Sequence, residues 1–133
     1  MNATIGLFTA AFLILLSQHL HAEDTTPARQ VDTLVRLSGI QPNPGSGHDF
    51  FVSKHGREWS CSSCHTTDPT DLGKHVKTGK VIQPMAPAAN PSRFTDVSKT
   101  EKWFRRNCND VIGRECTPEE KADVLTWLLS LKK

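Results

Sequence analysis

The sequence predicts an all-α domain. Two stretches, residues 26–39 and 117–131, begin with the Thr-Pro pair typical of a helix N-terminus and continue with apolar residues at helical spacing. Between them there is little of the alternation of apolar and polar residues that would predict a strand. Helices joined by long loops are therefore the expected architecture.

The first half of the domain should contain two helices. The first starts at Thr26, whose hydroxyl can cap it, and ends at Gly39. A second, shorter helix is predicted from Gly47 to Lys54, with Gly56 as its stop. The apolar residues of these two helices are Val31, Leu34, Val35, Leu37, Phe50 and Phe51.

The second half should contain two more helices after a long loop. Residues 60–95 show no sustained period and are rich in Thr, Asp, Gly and Pro, so a loop of this length is expected only if it wraps around a cofactor. A third helix is predicted from the N-cap Asp96 to Asn107. The last begins at Thr117-Pro118-Glu119-Glu120, which has the pattern of a capping box. The apolar residues of these helices are Val97, Trp103, Phe104, Val124, Leu125, Trp127, Leu128 and Leu131.

Residues 1–22 are predicted to be a secretory signal peptide. The apolar run from Ile5 to Leu16 has the length of a signal peptide, and Ala22 offers a small residue at the cleavage site. No Lys or Arg precedes the run, so a retained N-terminal anchor is the alternative. Residues 23–133 are then one exported domain, which in a bacterium is expected in the periplasm.

The charge balance limits the classes of partner. Sixteen Lys and Arg against fourteen Asp and Glu give a formal net charge of +2. A domain that binds nucleic acid is usually strongly basic, so nucleic acid is not an expected partner. Membrane contact is expected only through a partner or an uncleaved signal peptide.

The motif Cys61-Ser62-Ser63-Cys64-His65 carries the central chemistry. This pattern is typical of c-type haem attachment, in which each thiol bonds one haem vinyl group and the histidine binds the iron. The three-residue step between the thiols matches the separation of the two vinyl groups. We therefore predict one covalently bound haem c, attached at Cys61 and Cys64, with His65 as the proximal ligand.

Three other interpretations of this cysteine pair are less favourable. A thioredoxin-like redox pair would require a βαβ context, which the pattern of elements does not predict. A zinc site would need Cys108 and Cys116 as further ligands, but that pair lacks the usual spacing. A disulfide between Cys61 and Cys64 would close a tight, strained loop.

Four cysteines in an exported chain also indicate an oxidising compartment.

The ligand on the opposite face of the haem should decide the function, because a firm second ligand favours electron transfer and a weak one leaves the iron open to small molecules. Met85 lies in a proline-framed loop, but it follows His65 by a short path and could equally be a core residue at the haem edge. His48, His55 and His75 could each offer a nitrogen, although surface positions are the ordinary interpretation.

A longer pattern extends from Thr78 to the C-terminus. It consists of Thr78-Gly79-Lys80, Pro84, Ala86-Pro87, Pro91, Arg93-Phe94-Thr95-Asp96, Glu101-Lys102-Trp103, Arg106-Asn107-Cys108-Asn109, Val111-Ile112-Gly113-Arg114, Cys116-Thr117-Pro118 and Glu120-Lys121-Ala122-Asp123. In these residues the chain resembles the sphaeroides haem protein family, small oxygen-binding cytochromes c. The resemblance is far more specific than the haem motif alone, and it implies the class I cytochrome c type of all-α fold.

The resemblance also implies a set of site residues. It places the sixth iron ligand at Asn107 and a disulfide between Cys108 and Cys116, and Trp103 is expected to shape the ligand pocket. An amide oxygen suits ferric iron better than softer ferrous iron, so Asn107 should leave on reduction and open the site to O₂, NO or CO. Without the resemblance, Asn107 would be interpreted as a helix C-cap. A member of the family has an ordinary apolar residue at the position of Met85.

The function implied is that of a monohaem cytochrome that binds a diatomic ligand and is reduced by a larger partner, a dihaem cytochrome c. Reduction or detoxification of oxygen or nitric oxide would make it an enzyme, and the sequence leaves that open. The alternative is a simple electron carrier with His65 and Met85 on the iron. Some basic residues could pair with haem propionates or with an acidic redox partner, although each is ordinarily a solvated charge; they are Lys80, Arg93, Arg105 and Arg106.

Overall fold

The computed structural model describes residues 25–133, and within this range the fold is all-α, as predicted. The predicted signal peptide lies outside the described residues. None of the described helices is long and apolar enough to cross a membrane. The elements are α1 (Pro27–Ser38), α2 (Pro44–Val52), α3 (Ser62–His65), β1 (Gly73–Lys74), β2 (Val81–Ile82), α4 (Val97–Ile112) and α5 (Pro118–Ser130).

The helix starts that the sequence marks most strongly are confirmed. The Thr26 hydroxyl accepts a hydrogen bond from the backbone N–H of Arg29 at 3.2 Å, and α1 ends at Gly39. Asp96 caps α4 by accepting from the N–H of Lys99 at 2.8 Å. Thr117 and Glu120 form the predicted capping box of α5. These caps satisfy N–H groups that the first turn of a helix leaves without partners.

Three predicted helix boundaries are wrong. Helix α2 starts at Pro44 rather than Gly47, because Asn43 caps it with its side-chain oxygen and a proline follows. It ends at Val52, so Gly56 is not its stop. Helix α4 continues past Asn107 to Ile112, where Gly113 adopts a left-handed φ of 78°. Asn107 therefore lies inside the helix, and its interpretation as a C-cap is wrong.

The predicted loop between residues 60 and 95 contains short regular elements that the sequence pattern did not reveal. One is α3, a single turn that carries the haem motif. The other is a hairpin whose two-residue strands pair antiparallel, with Gly73 opposite Ile82 and Lys74 opposite Val81. Elements of two to four residues are too short to show a period in the sequence.

Helix α5 is the centre of the core. Phe51 of α2 packs with Val124, Trp127 and Leu128 on one side of α5. On the other side, Leu34 of α1 packs with Ala122 and Leu125. Helices α2 and α5 approach so closely at Gly47 that a Cβ there would overlap the Asp123 carbonyl. Beside this core, α3, the hairpin and α4 surround a cavity that Phe51 and Val124 also line.

Candidate functional site

The cavity has a volume of about 1150 Å³ and is lined by most of the residues that the sequence singled out. It exceeds the roughly 300–1,000 Å³ typical of clefts for drug-sized ligands. α3 and the hairpin contribute to its lining, and a stripe of α4 residues contributes as well. The predicted site residues among its lining are Cys61, Cys64, His65, Met85, Trp103 and Asn107.

We call residues 60–66, which include α3, the motif wall. Cys61 and Cys64 both have free thiols, in contrast to the other two cysteines. Burial raises the pKa of the Cys61 thiol to about 11. Burial, assisted by the positive charge of Arg93, lowers the pKa of His65 to about 4, so its ring is neutral at physiological pH. A neutral imidazole is the form that binds a metal ion.

The motif wall is held in place by contacts from later in the chain. Gly73 lies so close to the carbonyl of Cys64 that a Cβ at this position would overlap the carbonyl oxygen. The backbone N–H of Val76 donates to Cys64 Sγ at 3.5 Å. Thr66, directly after His65, has a φ of 64°, which a β-branched residue rarely adopts. Such strain persists where the surroundings impose it, as they do here around the haem motif.

We call the stripe of α4 that faces the cavity, from Thr100 to Val111, the helix wall. Its members recur at helical spacing: Thr100, Trp103, Phe104, Asn107 and Val111. Asn107 is half-buried, and no hydrogen bond within residues 25–133 engages its carboxamide. By contrast, the Asn109 amide donates to the Arg105 carbonyl at 2.7 Å. Asn107 thus lines the cavity with a polar side chain that forms no hydrogen bond with any described residue.

Trp103 lines the cavity one helical turn before Asn107 and is 43% exposed. The Arg106 guanidinium lies 5.6 Å from the centre of its ring. The partial exposure places this side chain where the cavity meets solvent.

The predicted disulfide between Cys108 and Cys116 is confirmed, with 5.7 Å between the two Cα atoms. Both cysteines are buried. The bond joins the last turns of α4 to the residue before the cap of α5, so it restrains the backbone beside Asn107.

Met85 lines the cavity, and its backbone is hydrogen-bonded to the loop that follows the haem motif. The backbone N–H groups of Met85 and Ala86 both donate to the carbonyl of Pro69, four residues after His65. The Met85 side chain packs against the Phe51 cluster, and the Phe51 ring centre lies 6.2 Å from that of His65.

The other histidine candidates differ in position. His48 is exposed and bonds to Asp49, while His55 bonds to the carbonyl of Phe50 at 2.8 Å, and neither lines the cavity. His75 does line it, and its Nδ1 accepts from the N–H of Thr78 at 3.2 Å within the hairpin.

The four basic candidates differ in whether they line the cavity. Arg93 lines the cavity and donates to the carbonyls of Pro84 and Gln83 at 2.8 and 2.6 Å, so it is not simply a solvated charge. Lys80 and Arg106 line the cavity as well, whereas Arg105 does not.

Sequence reasoning missed Gln30, a buried polar residue of α1. Its Nε2 donates to the carbonyl of Phe94 at 2.7 Å and to the Thr100 hydroxyl at 3.2 Å. Phe94 lines the cavity and has an unusual positive φ of 59°. Gln30 therefore holds both this strained residue and the start of the helix wall. The signal in the sequence that could have identified Gln30 is its position four residues before Leu34, on the same face of α1.

The chemistry of the donors on the motif wall fits a haem. Two unpaired thiols and a neutral imidazole lie together at a large, mostly apolar cavity, as thioether attachment and axial ligation of iron require. An all-α domain with this site defines a c-type cytochrome that carries one covalently bound haem c. Residues 38–128 match the family described as a domain of unknown function, DUF1924.

Two characterised bacterial proteins are similar over nearly their whole length. Cytochrome c-type protein SHP of Cereibacter sphaeroides is 45% identical over 124 residues, which are 88% of this chain and 95% of that protein. Cytochrome c'' of Methylophilus methylotrophus is 37% identical over 139 aligned positions, covering 97% of this chain and 96% of that protein. The chain belongs to the DUF1924 family and to the family of the sphaeroides haem protein, SHP.

Solved structures agree with this assignment. The structure of oxidised SHP, described as an oxygen-binding cytochrome c, superimposes with a TM-score of 0.77 at 44% identity, covering 81% of this chain and 99% of that one. Oxidised cytochrome c'' from M. methylotrophus superimposes with a TM-score of 0.72 at 36% identity, covering 80% of this chain and 95% of that one. The predicted class I cytochrome c-like fold is therefore confirmed.

Proposed function

We propose that this chain is a monohaem cytochrome c that binds a diatomic molecule when reduced. Cys61 and Cys64 would hold the haem, and its iron would be bound by His65 and, in the ferric protein, by Asn107. When bound, the haem supplies an iron that can take O₂, NO or a similar molecule in its ferrous state, once the sixth position is open. The remaining steps of the proposal concern what the side chains do.

The observation that carries the proposal is the position of the Asn107 carboxamide. Asn107 lines the cavity from α4 while His65 lines it from α3, and no described residue hydrogen-bonds the amide. A free carboxamide oxygen can serve as a hard, weak ligand that ferric iron accepts more readily than ferrous iron. After release, the NH₂ end of the same side chain can donate a hydrogen bond to a small molecule in the cavity.

The surroundings of Asn107 favour release by rotation of the side chain alone. The residue is interior to a regular helix that is capped at Asp96 and ends at Gly113. The Cys108–Cys116 disulfide restrains the backbone at the next residue. Because the backbone is held on both sides, only the χ angles of Asn107 are left to carry the motion.

The similar proteins support a ligand-binding role. SHP is described as an oxygen-binding cytochrome c, and the solution structure of cytochrome c'' concerns the structural basis of haem-ligand detachment. Both properties belong to those proteins, and we extend them to this chain as part of the proposal.

The alternative function is a simple electron carrier with His65 and Met85 on the iron. The backbone hydrogen bonds from Met85 and Ala86 to the Pro69 carbonyl connect Met85 to the segment that follows His65. A ligand on the opposite face would have to come from the other wall, so this arrangement favours Asn107 over Met85.

The proposal includes the cellular setting. Residues 1–22 act as a signal peptide and residues 23–133 form the cytochrome domain in the bacterial periplasm. The electron donor is a partner cytochrome, which the family resemblance implies is a dihaem cytochrome c. The proposal covers binding of the diatomic molecule and does not include enzymatic turnover of oxygen or nitric oxide.

Paired substitutions test the ligand assignment. Asn107→Ala should shift the absorption spectrum of the ferric protein towards high spin, because it removes the sixth ligand, whereas Met85→Ala should change it little. The reduced wild-type protein should bind carbon monoxide. A near-infrared band typical of a Met–iron bond, or a ferrous protein that stays six-coordinate and refuses carbon monoxide, would contradict the proposal and favour the electron carrier.

A further inference from the structure

Positive charge is concentrated in one segment of the chain. Residues 72–95 contain four of the sixteen basic residues and none of the fourteen acidic ones. In the rest of the chain the twelve remaining basic residues are outnumbered by the fourteen acidic ones. Three of the four basic residues, Lys74, Lys77 and Lys80, lie in or between the hairpin strands and are exposed.

The same hairpin exposes apolar side chains. Leu72 is 58% exposed, Val76 is 42% exposed and Val81 is 65% exposed. Lys74 and Val81 are cross-strand partners and share the outward side of the hairpin, while Gly73 is buried on its inward side. We call the surface formed by Leu72, Lys74, Val76, Lys77, Lys80 and Val81 the hairpin face.

The hairpin face lies directly over the attachment point of the cofactor. The Val76 N–H donates to Cys64 Sγ, and Gly73 packs on the Cys64 carbonyl. Val76 and Val81 also line the cavity, so these exposed residues touch the cavity as well as solvent. The Lys77 ammonium lies 4.6 Å from the centre of the Trp59 ring, which fixes the hairpin to the residues just before the motif.

Small apolar patches with a charged rim suit transient protein–protein contact. Exposed apolar residues provide a desolvated centre, and charges of one sign steer a complementary partner and raise its association rate. We propose that the hairpin face is the docking surface for an acidic electron-transfer protein. This inference rests on the proposed function only in requiring a haem behind Cys64. One electron leaves the redox centre of the partner, which is oxidised, and reduces ferric iron to ferrous; no covalent bond forms and no proton passes between the two proteins.

The other group of basic residues does not form a comparable surface. The exposed cations of α4 are Lys99, Lys102, Arg105 and Arg106, and the same helix carries the carboxylates of Glu101 and Asp110. Mixed charge gives weaker steering than a face of one sign. This part of α4 and the C-terminus therefore provide matched control positions.

The test compares two triple variants with the same loss of charge in the haem-loaded protein. One is Lys74→Gln/Lys77→Gln/Lys80→Gln, and the control is Lys102→Gln/Lys132→Gln/Lys133→Gln. Stopped-flow rates of haem reduction are measured with reduced flavodoxin, an acidic electron-transfer protein, and with photoreduced lumiflavin, a small neutral reductant. We expect the hairpin variant to lose roughly tenfold in the flavodoxin rate relative to the lumiflavin rate at low salt. Its dependence on salt should flatten, while the control stays within about twofold of the wild type.

A second variant examines the apolar centre. Leu72→Ser lies outside the cavity lining and removes no charge. It should lower the flavodoxin rate at both low and high salt, because apolar contact is not screened. Equal rates for Leu72→Ser and the wild type at both salts would overturn the apolar part of the docking surface.

Other outcomes would overturn the proposal as a whole. An equal fall in both triple variants would mean that net charge, and not the hairpin face, sets the rate. A parallel fall with flavodoxin and lumiflavin would mean that the lysines act on the haem itself, for example by pairing with propionates. Charge-dependent sedimentation with phosphatidylglycerol vesicles, without an effect on the flavodoxin rate, would make the face a lipid-binding surface. Carbon monoxide binding by the ferrous protein tests the proposed function separately from all of these results.

Discussion

The two walls of the cavity are built in opposite ways. The motif wall is a single helical turn without a side-chain cap, followed by the strained Thr66 and held by contacts from the hairpin. The helix wall is part of a sixteen-residue helix that is capped at Asp96, ends at Gly113 and is restrained by a disulfide. One wall depends on long-range support for an irregular backbone, and the other is regular along its whole length.

This difference matches the two tasks that we assign to the walls. Covalent attachment needs three side chains at fixed local spacing, and once the bonds form the cofactor itself helps to hold that backbone. A ligand that must come and go needs the reverse, a backbone that stays still while one side chain moves. The cavity therefore combines a permanent attachment with a reversible contact, and each wall can be tested separately.

The largest expected effect comes from removing the thiols of the motif wall. Cys61→Ala/Cys64→Ala should abolish covalent attachment, because no other free cysteine lies within residues 25–133. Acid–acetone extraction should then remove the haem from any protein that retains it, whereas wild-type haem stays with the polypeptide. Cys108→Ala/Cys116→Ala is the control and should keep its haem through extraction. Haem that resisted extraction from the first variant would show that the attachment residues are wrongly assigned.

Removal of the disulfide should weaken the helix wall without releasing the haem. Closing a loop of this size constrains the unfolded chain, and the Cys108→Ala/Cys116→Ala variant should lose roughly 2–3 kcal/mol in the free energy of unfolding. Denaturant titration of the oxidised haem protein measures the loss. We also expect a larger high-spin fraction in its ferric spectrum, because the backbone beside Asn107 is freer. An unchanged spectrum together with the full loss of stability would show that the disulfide stabilises the fold but does not position Asn107.

Gln30→Ala should produce a smaller loss at the other end of the helix wall. It leaves the Phe94 carbonyl and the Thr100 hydroxyl without their buried partner, which should lower the free energy of unfolding by roughly 1–3 kcal/mol. Gln41→Ala, at an exposed position, is the matched control and should be nearly neutral. Equal stability of the two variants in denaturant titration would show that Gln30 does not hold the wall.

The smallest effect is expected outside both walls, at the start of α5. Arg114, in the loop closed by the disulfide, donates two hydrogen bonds to Glu120 and is the main cause of the lowered pKa of this carboxyl group. The stability that this ionised group contributes is present above its unfolded pKa of about 4.5 and is lost as the pH falls through the lower folded value. Glu120→Gln should therefore cost about 0.2–1 kcal/mol at neutral pH, as partly exposed pairs do.

The pH dependence provides the check on this last prediction. Thermal or denaturant unfolding of Glu120→Gln and of the wild type should differ at neutral pH and converge as the pH falls below the folded pKa of Glu120. Glu119→Gln, in the same turn but exposed, should change stability less at every pH. A difference that grew on acidification would contradict the assigned ion pair.

The sequence predicted the elements whose signals are local. Thr26, Asp96 and Thr117 mark helix starts because a cap acts on N–H groups only two or three residues away. The sequence predicts too short an α4, because Asn107 resembles the end of a helix whereas the helix stops at Gly113. The start of α2 was missed although Asn43-Pro44 carries the same type of signal as Thr26-Pro27.

Residues far apart in the sequence could not be assigned in this way. The carbonyl of Phe94 lies 64 residues from the Gln30 amide that it accepts from, and no local pattern marks that bond. The hairpin was missed because its strands have two residues each. Its position over Cys64, and hence the meaning of its three lysines, depends on the packing of Gly73 against the motif.

The sequence by itself determined the chemistry of attachment, because the spacing from Cys61 to His65 is a property of five consecutive residues. It also determined most helix starts, for the same local reason. Only the tertiary structure decided that Asn107 lines the cavity from inside a helix, that Met85 is bonded to Pro69, and that the hairpin carrying the lysines contacts Cys64. These relations arise when separate elements bury their apolar faces together, so no short stretch of sequence contains them.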